Sequence, residues 1–400
     1  MNLFFDLLSQ LQNPEKTRNF NVFKTYSLDE FQEQIKRYGK LLEFDTTYHP
    51  FRFAVVGTNG KGSTSFYLSE LLQKIKLDQQ IGLYTSPHLL TPFERIICNG
   101  KMITESEADE IIEQLARIDA SHLKALSYFE CLTLICFCFF KKMGCGFEVW
   151  EAGLGGRLDA TKLANPDVIL LTKIGIDHSE ILGETLEKIA YEKLHIAGNK
   201  TKVIYSFPAS GNLRSEIESI AKSLGLEVHF FEGKSYPDYL QFNFDFVKWV
   251  LADLQITDPS LMPSFASIKP PPGRLETIRE TPPLVYDPAH NPDAVKHTIA
   301  TIRKSQAWQN NPSLLCGCLP DKDTDSIWKE ISAHSWKEIF FYEAEGFFKW
   351  SDNLPSTAGK FLHSEEELKA ALATAGPMLA LGSFRLYPVL TSLYQNRVIL

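Results

Sequence analysis

FRFAVVGTNGKGSTS, residues Phe51 to Ser65, is the stretch whose reading decides the fold. Phe51–Val56 is a short apolar run rich in aromatic and β-branched side chains, and it reads as a buried strand. GTNGKGS (Gly57–Ser63) follows at once, and beyond it Phe66, Leu68, Leu71, Leu72 and Ile75 repeat with a helical period. Strand, glycine-rich turn and helix start together make a cradle for phosphate. Glycines let backbone N–H groups approach an anion, and the helix N-terminus adds partial positive charge. Lys61 reaches the outer phosphates of a nucleotide. The general phosphate-loop pattern is broken twice: Val55 stands where a glycine is expected, and Gly62 moves the hydroxyl to Ser63. A glycine-rich turn alone is often only a tight turn. The strand and helix on either side make phosphate binding the stronger reading.

In a parallel α/β sheet, ligand-contacting residues collect at strand carboxyl ends, and three further segments deliver polar groups there. Ile81–Gly100 is a strand running into a loop that Ser86-Pro87 breaks. Phe147–Trp150 is a strand, and Glu151 follows it before the turn AGLGGR (Ala152–Arg157). That carboxylate is placed to hold a metal beside phosphate; without the phosphate loop, a turn-capping role would be the better reading. Asp167–Thr172 ends in KIGIDH, delivering Asp177 and His178. A lone histidine is more often structural, but one sharing an edge with Glu151 and Lys61 points to a metal. Between these strands, Glu105–Ile118 reads as an exposed helix. Ser127–Met143 reads as an apolar core helix, where only the polar start near Tyr128 and Glu130 faces a ligand. Thr185–His195 is helical, and on composition alone its Lys193 is a solvated charge. Residues 1–50 read as helical and mixed, with Leu7, Leu8 and Leu11 on one face.

Toward the C-terminus, Val203–Phe207 and Glu227–Phe231 extend the sheet, and Leu240–Leu254 is an aromatic-rich helix. Pro263–Gly273, with four prolines, is the clearest boundary in the chain. Beyond it the α/β alternation restarts with strands at Leu284–Tyr286, Leu314–Cys318, Ile339–Tyr342 and Met378–Leu381, and a helix running to about Arg303. The fold class is therefore α/β in two domains: a phosphate-binding domain over 1–266, a Pro-rich linker over 267–273, and a doubly wound domain over 274–400. Composition agrees, since 44% apolar and 22% charged residues in 400 are ordinary for a globular chain. A formal charge of −8 argues against a nucleic-acid binder with a broad basic surface. The most apolar run, Cys131–Phe140, is too short to span a bilayer, and MNLFFDLLSQLQ lacks the basic start of a signal peptide. Seven cysteines with no CxxC pair point to reduced, buried thiols and to the cytoplasm.

Taken together, these segments resemble the folylpolyglutamate synthase/dihydrofolate synthase family, a branch of the Mur-ligase superfamily of ATP-dependent amide-forming ligases. The motifs are GTNGKGS (57–63), YTSPHLL with PFERI (84–96), SYFE (127–130), EAGLGGRLDAT (151–161), KIGIDHSEILGETLEKIAYEK (173–193), PPGRLE (271–276) and DPAHNPDA (287–294), in the family's order. The resemblance implies a P-loop ATPase-like N-terminal domain and a Rossmann-like C-terminal domain, with the active site in the cleft between them. It implies magnesium ligands at Ser86, Glu151 and His178. ATP contacts map to Asn59, Gly60, Lys61, Gly62 and Ser63, then to Asn243, Arg274 and Asp287. The pterin substrate is expected near Tyr128, Phe129, Leu158, Asp159 and Ala160. Lys193 aligns with a lysine that the family carries as a carbamate, and two Mg²⁺ ions follow from that. The implied partners are ATP, L-glutamate and dihydropteroate or a reduced folate, with no nucleic acid and no membrane, in a monomer. Lys61, His178 and Lys193 would carry the chemistry. Departures from the pattern are Lys162 after Asp-Ala-Thr, Leu194-His195-Ile196 after Glu-Lys, and a Glu343–Trp350 segment without the family's Pro/Arg turn. A cell-wall Mur-type ligase, or a nucleotide-binding pseudoenzyme of the same fold, are the alternatives.

Overall fold

The computed structural model describes residues 3–13, 33, 48–233, 236, 238–304, 308 and 311–394. In chain order the elements are α1 (Leu3–Gln10), β1 (Phe51–Val56), α2 (Lys61–Ile75), β2 (Gln80–Tyr84), β3 (Ile96–Cys98) and β4 (Lys101–Met102). Then come α3 (Glu105–Leu123), α4 (Tyr128–Met143), β5 (Cys145–Glu151), β6 (Val168–Leu171), α5 (Ser179–Leu182) and α6 (Leu186–Leu194). β7 (Val203–Ser206), α7 (Gly211–Leu224), β8 (Glu227–Phe230) and α8 (Tyr239–Asp253) follow. The remainder runs β9 (Glu276–Arg279), β10 (Leu284–Asp287), α9 (Pro292–Lys304), β11 (Ser313–Cys316), α10 (Thr324–Ser332), β12 (Ile339–Tyr342), β13 (Lys360–Leu362), α11 (Glu365–Thr374), β14 (Met378–Leu381) and α12 (Leu386–Tyr394). The chain divides into two compact units, Met1–Ser235 with Leu240–Ile268, and Tyr236–Tyr239 with Lys269–Leu400.

In the first unit, described strands join in the order β4-β3-β2-β5-β1-β6-β7-β8. All pairs are parallel except β2–β3 and β3–β4. The central strand is β1, covered on both faces, which is why Phe53–Val56 is apolar without alternation. Ala54 and Val56 of β1 pack with Ile169, Leu171 and residues of α6 and α7 in one core layer. Trp150 and Tyr84 belong to the other, with α1, α3 and α4. Each fully buried Leu or Phe there contributes roughly 1.5–3 kcal/mol against exposure. α4 is held at its start by a capping box, in which Ser127 and Glu130 bond each other's backbone, and it stops at Gly144 in the left-handed region.

The second unit is a six-stranded sheet ordered β13-β12-β11-β14-β10-β9 among the described residues, parallel except for the β9–β10 edge pair. Its core carries Leu314, Cys316, Phe341, Trp350 and Leu381.

Several expectations need correcting. α3 is not an exposed helix: Ala108, Ile111, Ile112 and Leu115 form a buried stripe, and the helix runs on to Leu123 across non-helical Asp119. β3 lies inside what read as loop and β4 just beyond it, and the two form a short antiparallel return. β5 begins two residues before Phe147, and β11 ends at Cys316, two short of the expected Cys318. The edge strands β9 and β13 were not foreseen. Cysteines are all free, and Cys138 is only half-buried. Of the expected helical N-terminal segment, residues 14–32 and 34–47 lie outside the described residues. Among those described, no helix is long and apolar enough to cross a membrane.

Candidate active site

The site grows from the register of three strands. Val55 of β1 stands beside Glu151 of β5, and Val56 beside Leu171 of β6. The phosphate loop therefore leaves the sheet between the Glu151 turn and the Lys173–His178 loop. Gly57 begins it at φ 152, and a Cβ there would come within 1.9 Å of the Thr172 Oγ1, so only glycine fits. Thr58 N and Asn59 N both donate to the Lys173 carbonyl, at 2.8 and 3.3 Å. Those two amides are thus committed to the neighbouring loop. The anion-facing donors are then the first amides of α2, over Lys61, Gly62 and Ser63, which a helix start leaves without intrahelical acceptors. Gly60, at φ 93, turns the chain into that helix. The side chain of Lys61 folds back on its own loop, 3.1 Å from the Gly57 carbonyl and 3.4 Å from that of Thr58.

The Gly57 carbonyl has a second ammonium. Lys193 Nζ donates to it at 2.7 Å from the last turn of α6, and Lys193 is only 4% exposed. Its reading as a solvated charge is overturned. Burial, reinforced by the nearby Lys61 and opposed by Asp177 and Asp159, lowers its pKa from 10.5 to about 7. The sequence did hold a signal for this. Gly156 of the AGLGGR turn lies so close to the end of α6 that a Cβ would meet the Lys193 carbonyl at 2.4 Å. The glycine lets the two backbones close over the lysine. Arg157 adds a fork to Glu192, with Nε 3.0 Å from Oε1 and the backbone N–H 2.8 Å from the Glu192 carbonyl.

Glu151 is buried and accepts from the Thr85 hydroxyl and, at 3.1 Å, from Ser86 N–H. The structure thus joins Ser86 and Glu151 and adds Thr85, which sequence reasoning missed although it directly precedes Ser86 at the same strand end. His178 takes a left-handed conformation (φ 50) as it enters the single turn of α5, with Asp177 beside it; its Nε2 is 3.9 Å from Asp177 Oδ1. No contact joins His178 directly to Glu151 or Ser86 among the bonds described. No cluster of three His, Cys, Asp or Glu suited to a metal occurs among the described residues. The set Ser86, Glu151 and His178 contains two such side chains and a hydroxyl, the sparse oxygen-rich donor set suited to a Mg²⁺ that keeps waters and phosphate oxygens.

Phe129 and Asp159, both expected near the pterin, lie on either side of Gly153. Asp159 is buried and accepts from Leu154 N–H and Thr161 N–H, both at 2.9 Å, and from the Thr161 hydroxyl at 2.5 Å. Burial still raises its pKa. Gly153 lies between Asp159 and the Phe129 ring, with room for no side chain: a Cβ would be 2.9 Å from Phe129 Cζ. Tyr128 is buried under the Arg95 guanidinium, 5.5 Å from its ring centre, and Arg95 donates to His88 Nδ1 at 2.9 Å. Leu158 is half-buried and Ala160 buried, on either side of Asp159. Burial pushes Glu130, the capping residue of α4, up to about 7. Of the departures, Leu194 and Ile196 are fully buried core residues, so they alter packing rather than chemistry. Lys162 is half-buried, its pKa lowered by burial and then by Arg157.

On α8, Asn243 is 2% exposed, and its Nδ2 has no acceptor among the described residues. Its amide would lie 3.5 Å from a Cβ on Gly60. A buried amide donor without a partner beside a phosphate loop fits a ligand acceptor such as a purine nitrogen. In the second unit, Arg274 lies 4.8 Å from the Phe384 ring centre, and its Nη1 is buried without a partner among the described residues. Asp287, the last residue of β10, is buried. It accepts from Leu275 N–H (3.1 Å), Ala289 N–H (3.0 Å), the Thr298 hydroxyl (3.2 Å) and the Tyr239 hydroxyl. Burial raises its pKa, and Arg274 opposes the rise.

No family model matches the chain. Among curated proteins, the dihydrofolate synthase/folylpolyglutamate synthase of Buchnera aphidicola subsp. Acyrthosiphon pisum is 31% identical over 336 residues, 78% of this chain and 79% of the relative. The chain belongs to the dihydrofolate synthase/folylpolyglutamate synthase family. Solved structures of the family agree. A Yersinia pestis bifunctional folylpolyglutamate synthase/dihydrofolate synthase complexed with AMPPNP and Mn ion aligns with a TM-score of 0.77 at 26% identity, covering 92% of this chain and 94% of that one. Escherichia coli FolC in complex with DHPP and ADP aligns with a TM-score of 0.76 at 26% identity, covering 90% and 91%. This member of the family is thus α/β in both units and an ATP-dependent ligase.

Proposed function

We propose that this chain joins L-glutamate to a pterin-bearing carboxylate at the expense of ATP, taking dihydropteroate, a reduced folate or both as acceptor. The observation that carries the reading is the meeting of Lys61 and Lys193 at the Gly57 carbonyl, one strand away from buried Glu151. A buried lysine with a pKa near 7 is out of place in a merely structural helix.

Amide formation from a carboxylate in water is uphill, so the carboxylate is activated first. Its oxygen attacks the γ-phosphorus of ATP and ADP leaves, giving an acyl phosphate. The amine of L-glutamate then adds to the acyl carbon, phosphate departs, and the nitrogen loses a proton. Phosphoryl transfer asks chiefly for positioning and charge neutralisation. The α2 amides and Lys61 hold the phosphates, and Asn243 receives the base. Arg274, whose Nη1 has no partner among the described residues, and Asp287, which orders the segment around it, are assigned to the nucleotide as well. Asp159, Tyr128, Phe129, Leu158 and Ala160 hold the pterin. Ser86, Glu151 and His178 would hold Mg²⁺, which when bound neutralises charge on the phosphates. We assign Lys193 as a carbamate that would ligate a second Mg²⁺: reaction with CO₂ needs the neutral amine, and burial with Lys61 beside it lowers the Lys193 pKa to about 7, which makes the neutral form accessible at pH 7. The reading takes the chain to be a cytoplasmic monomer.

The test is phosphate release with ATP, Mg²⁺, L-glutamate and either dihydropteroate or tetrahydrofolate. Release above the pterin-free control with one or both acceptors is expected. None with either would overturn the ligase reading and favour a nucleotide-binding pseudoenzyme.

A further inference from the structure

Thr58 lies inside the phosphate loop, yet its side chain is engaged with the neighbouring loop. Its hydroxyl donates to the Gly175 carbonyl at 2.9 Å and accepts from the Gly175 N–H at 3.1 Å. A hydroxyl that both gives and receives on one residue uses its donor and one of its acceptor sites in a single clasp. The Thr58 methyl backs this up, 3.7 Å from where a Gly175 Cβ would lie. Backbone bonds from Thr58 and Asn59 to the Lys173 carbonyl secure only the start of that loop. Past Gly175, Ile176 is exposed, and His178 takes a left-handed conformation from which its carbonyl accepts the Ile181 and Leu182 N–H groups of α5, so the Gly175–His178 segment runs between the Thr58 clasp and that turn.

We infer that Thr58 is a positioning residue which sets the register between the phosphate-binding loop and His178 before nucleotide arrives. The inference rests on the reading of His178 as a divalent-cation ligand. Without the clasp, the Gly175–His178 segment samples other conformations, and binding of the cation must then supply the ordering.

The test compares Thr58→Val, which keeps the shape and removes the hydroxyl, with Thr58→Ser, which keeps the hydroxyl. Three measurements apply to the full chain. They are Mn²⁺ binding with saturating ADP by electron paramagnetic resonance of the free ion, hydrogen exchange across Gly175–His178 without ligands, and the Mg²⁺ dependence of turnover. Thr58→Val should bind Mn²⁺ about tenfold more weakly (about 1.4 kcal/mol). It should also exchange the Gly175 amide at least about tenfold faster, as expected for two lost hydrogen bonds. Half-saturating Mg²⁺ should rise by a similar factor, with kcat at saturating Mg²⁺ within about threefold of wild type. Thr58→Ser should match wild type in all three. Unchanged Mn²⁺ binding in Thr58→Val would overturn the inference, as would a fall in kcat with no change in half-saturating metal. If Thr58→Val does not fold, Thr58→Ala carries the same expectations. A wild-type protein that binds no Mn²⁺ in the presence of ADP would instead remove the cation reading itself.

Discussion

Replacing Lys193 by Met should abolish amide formation and yet stabilise the fold at low pH. Met matches the stem of lysine in length and fills its buried site without a charge. In the wild type the ammonium is lowered from 10.5 to about 7 by burial and by Lys61. The folded state binds that proton less tightly than the unfolded state does, so stability rises with pH across the window between the two values. Below pH 7 the whole penalty is present, about 5 kcal/mol at about 1.4 kcal/mol per pH unit. At pH 9 the folded amine is neutral while the unfolded one is still charged, and about 2 kcal/mol remains. Lys193→Met removes this term. Its gain over wild type should therefore be about 3 kcal/mol larger at pH 6 than at pH 9, whatever constant packing difference the new side chain brings. Denaturant unfolding in CO₂-free buffer at both pH values reads the difference directly. An equal gain or loss at the two values would show that Lys193 is charged and solvated in the folded state, and the argument from burial would fail.

If the neutral amine of Lys193 is what takes up CO₂, turnover should fall in CO₂-depleted buffer and return on adding bicarbonate. The dependence should be steeper at pH 6, where about a tenth of the amine is neutral; CO₂-independent turnover would exclude the carbamate. Gly57→Ala puts a Cβ 1.9 Å from Thr172 Oγ1 and 3.2 Å from the Thr172 backbone carbon, at a φ that L residues avoid. It should cost about 2–4 kcal/mol of stability together with nucleotide binding, and a stable variant that still binds ADP would contradict this. Asn243→Ala removes a buried donor that has no partner among the described residues. KM for ATP should rise about tenfold while Tm stays near wild type; a matched fall in Tm and kcat would make Asn243 structural.

What could be read from the sequence was whatever local chemistry dictates. The bounds of β1, β12 and β14 followed from apolar runs closed by turn residues, because a strand covered on both faces has little else it can be. The Glu151 and His178 positions followed from strand ends. β3, β4, β9 and β13 escaped because a two- to four-residue strand is defined by its partner's register and leaves no periodicity of its own. Lys193 was misread on composition for a related reason. A lysine on a nine-residue helix is solvated unless something covers it, and what covers it is a turn some forty residues earlier in the chain. Gly156 was the available clue, legible only to a reader who asks which backbone must approach a glycine. Thr58 and Thr85 escaped because a threonine hydroxyl shows its partner only once two loops meet.

The placement of β1 between β5 and β6 also bears on how this chain can vary in length. Three strands, each contributing one neighbouring loop, converge on a single carboxyl edge through the pairings Val55 with Glu151 and Val56 with Leu171. One residue inserted within β5 would not weaken the site by degrees. It would turn Glu151 to the opposite face of the sheet, where helix packing awaits it. Natural insertions and deletions should therefore be absent from Phe51–Val56, Cys145–Glu151 and Val168–Leu171 across related chains. They should accumulate instead at the outer strands β4 and β8, where the same event moves no ligand.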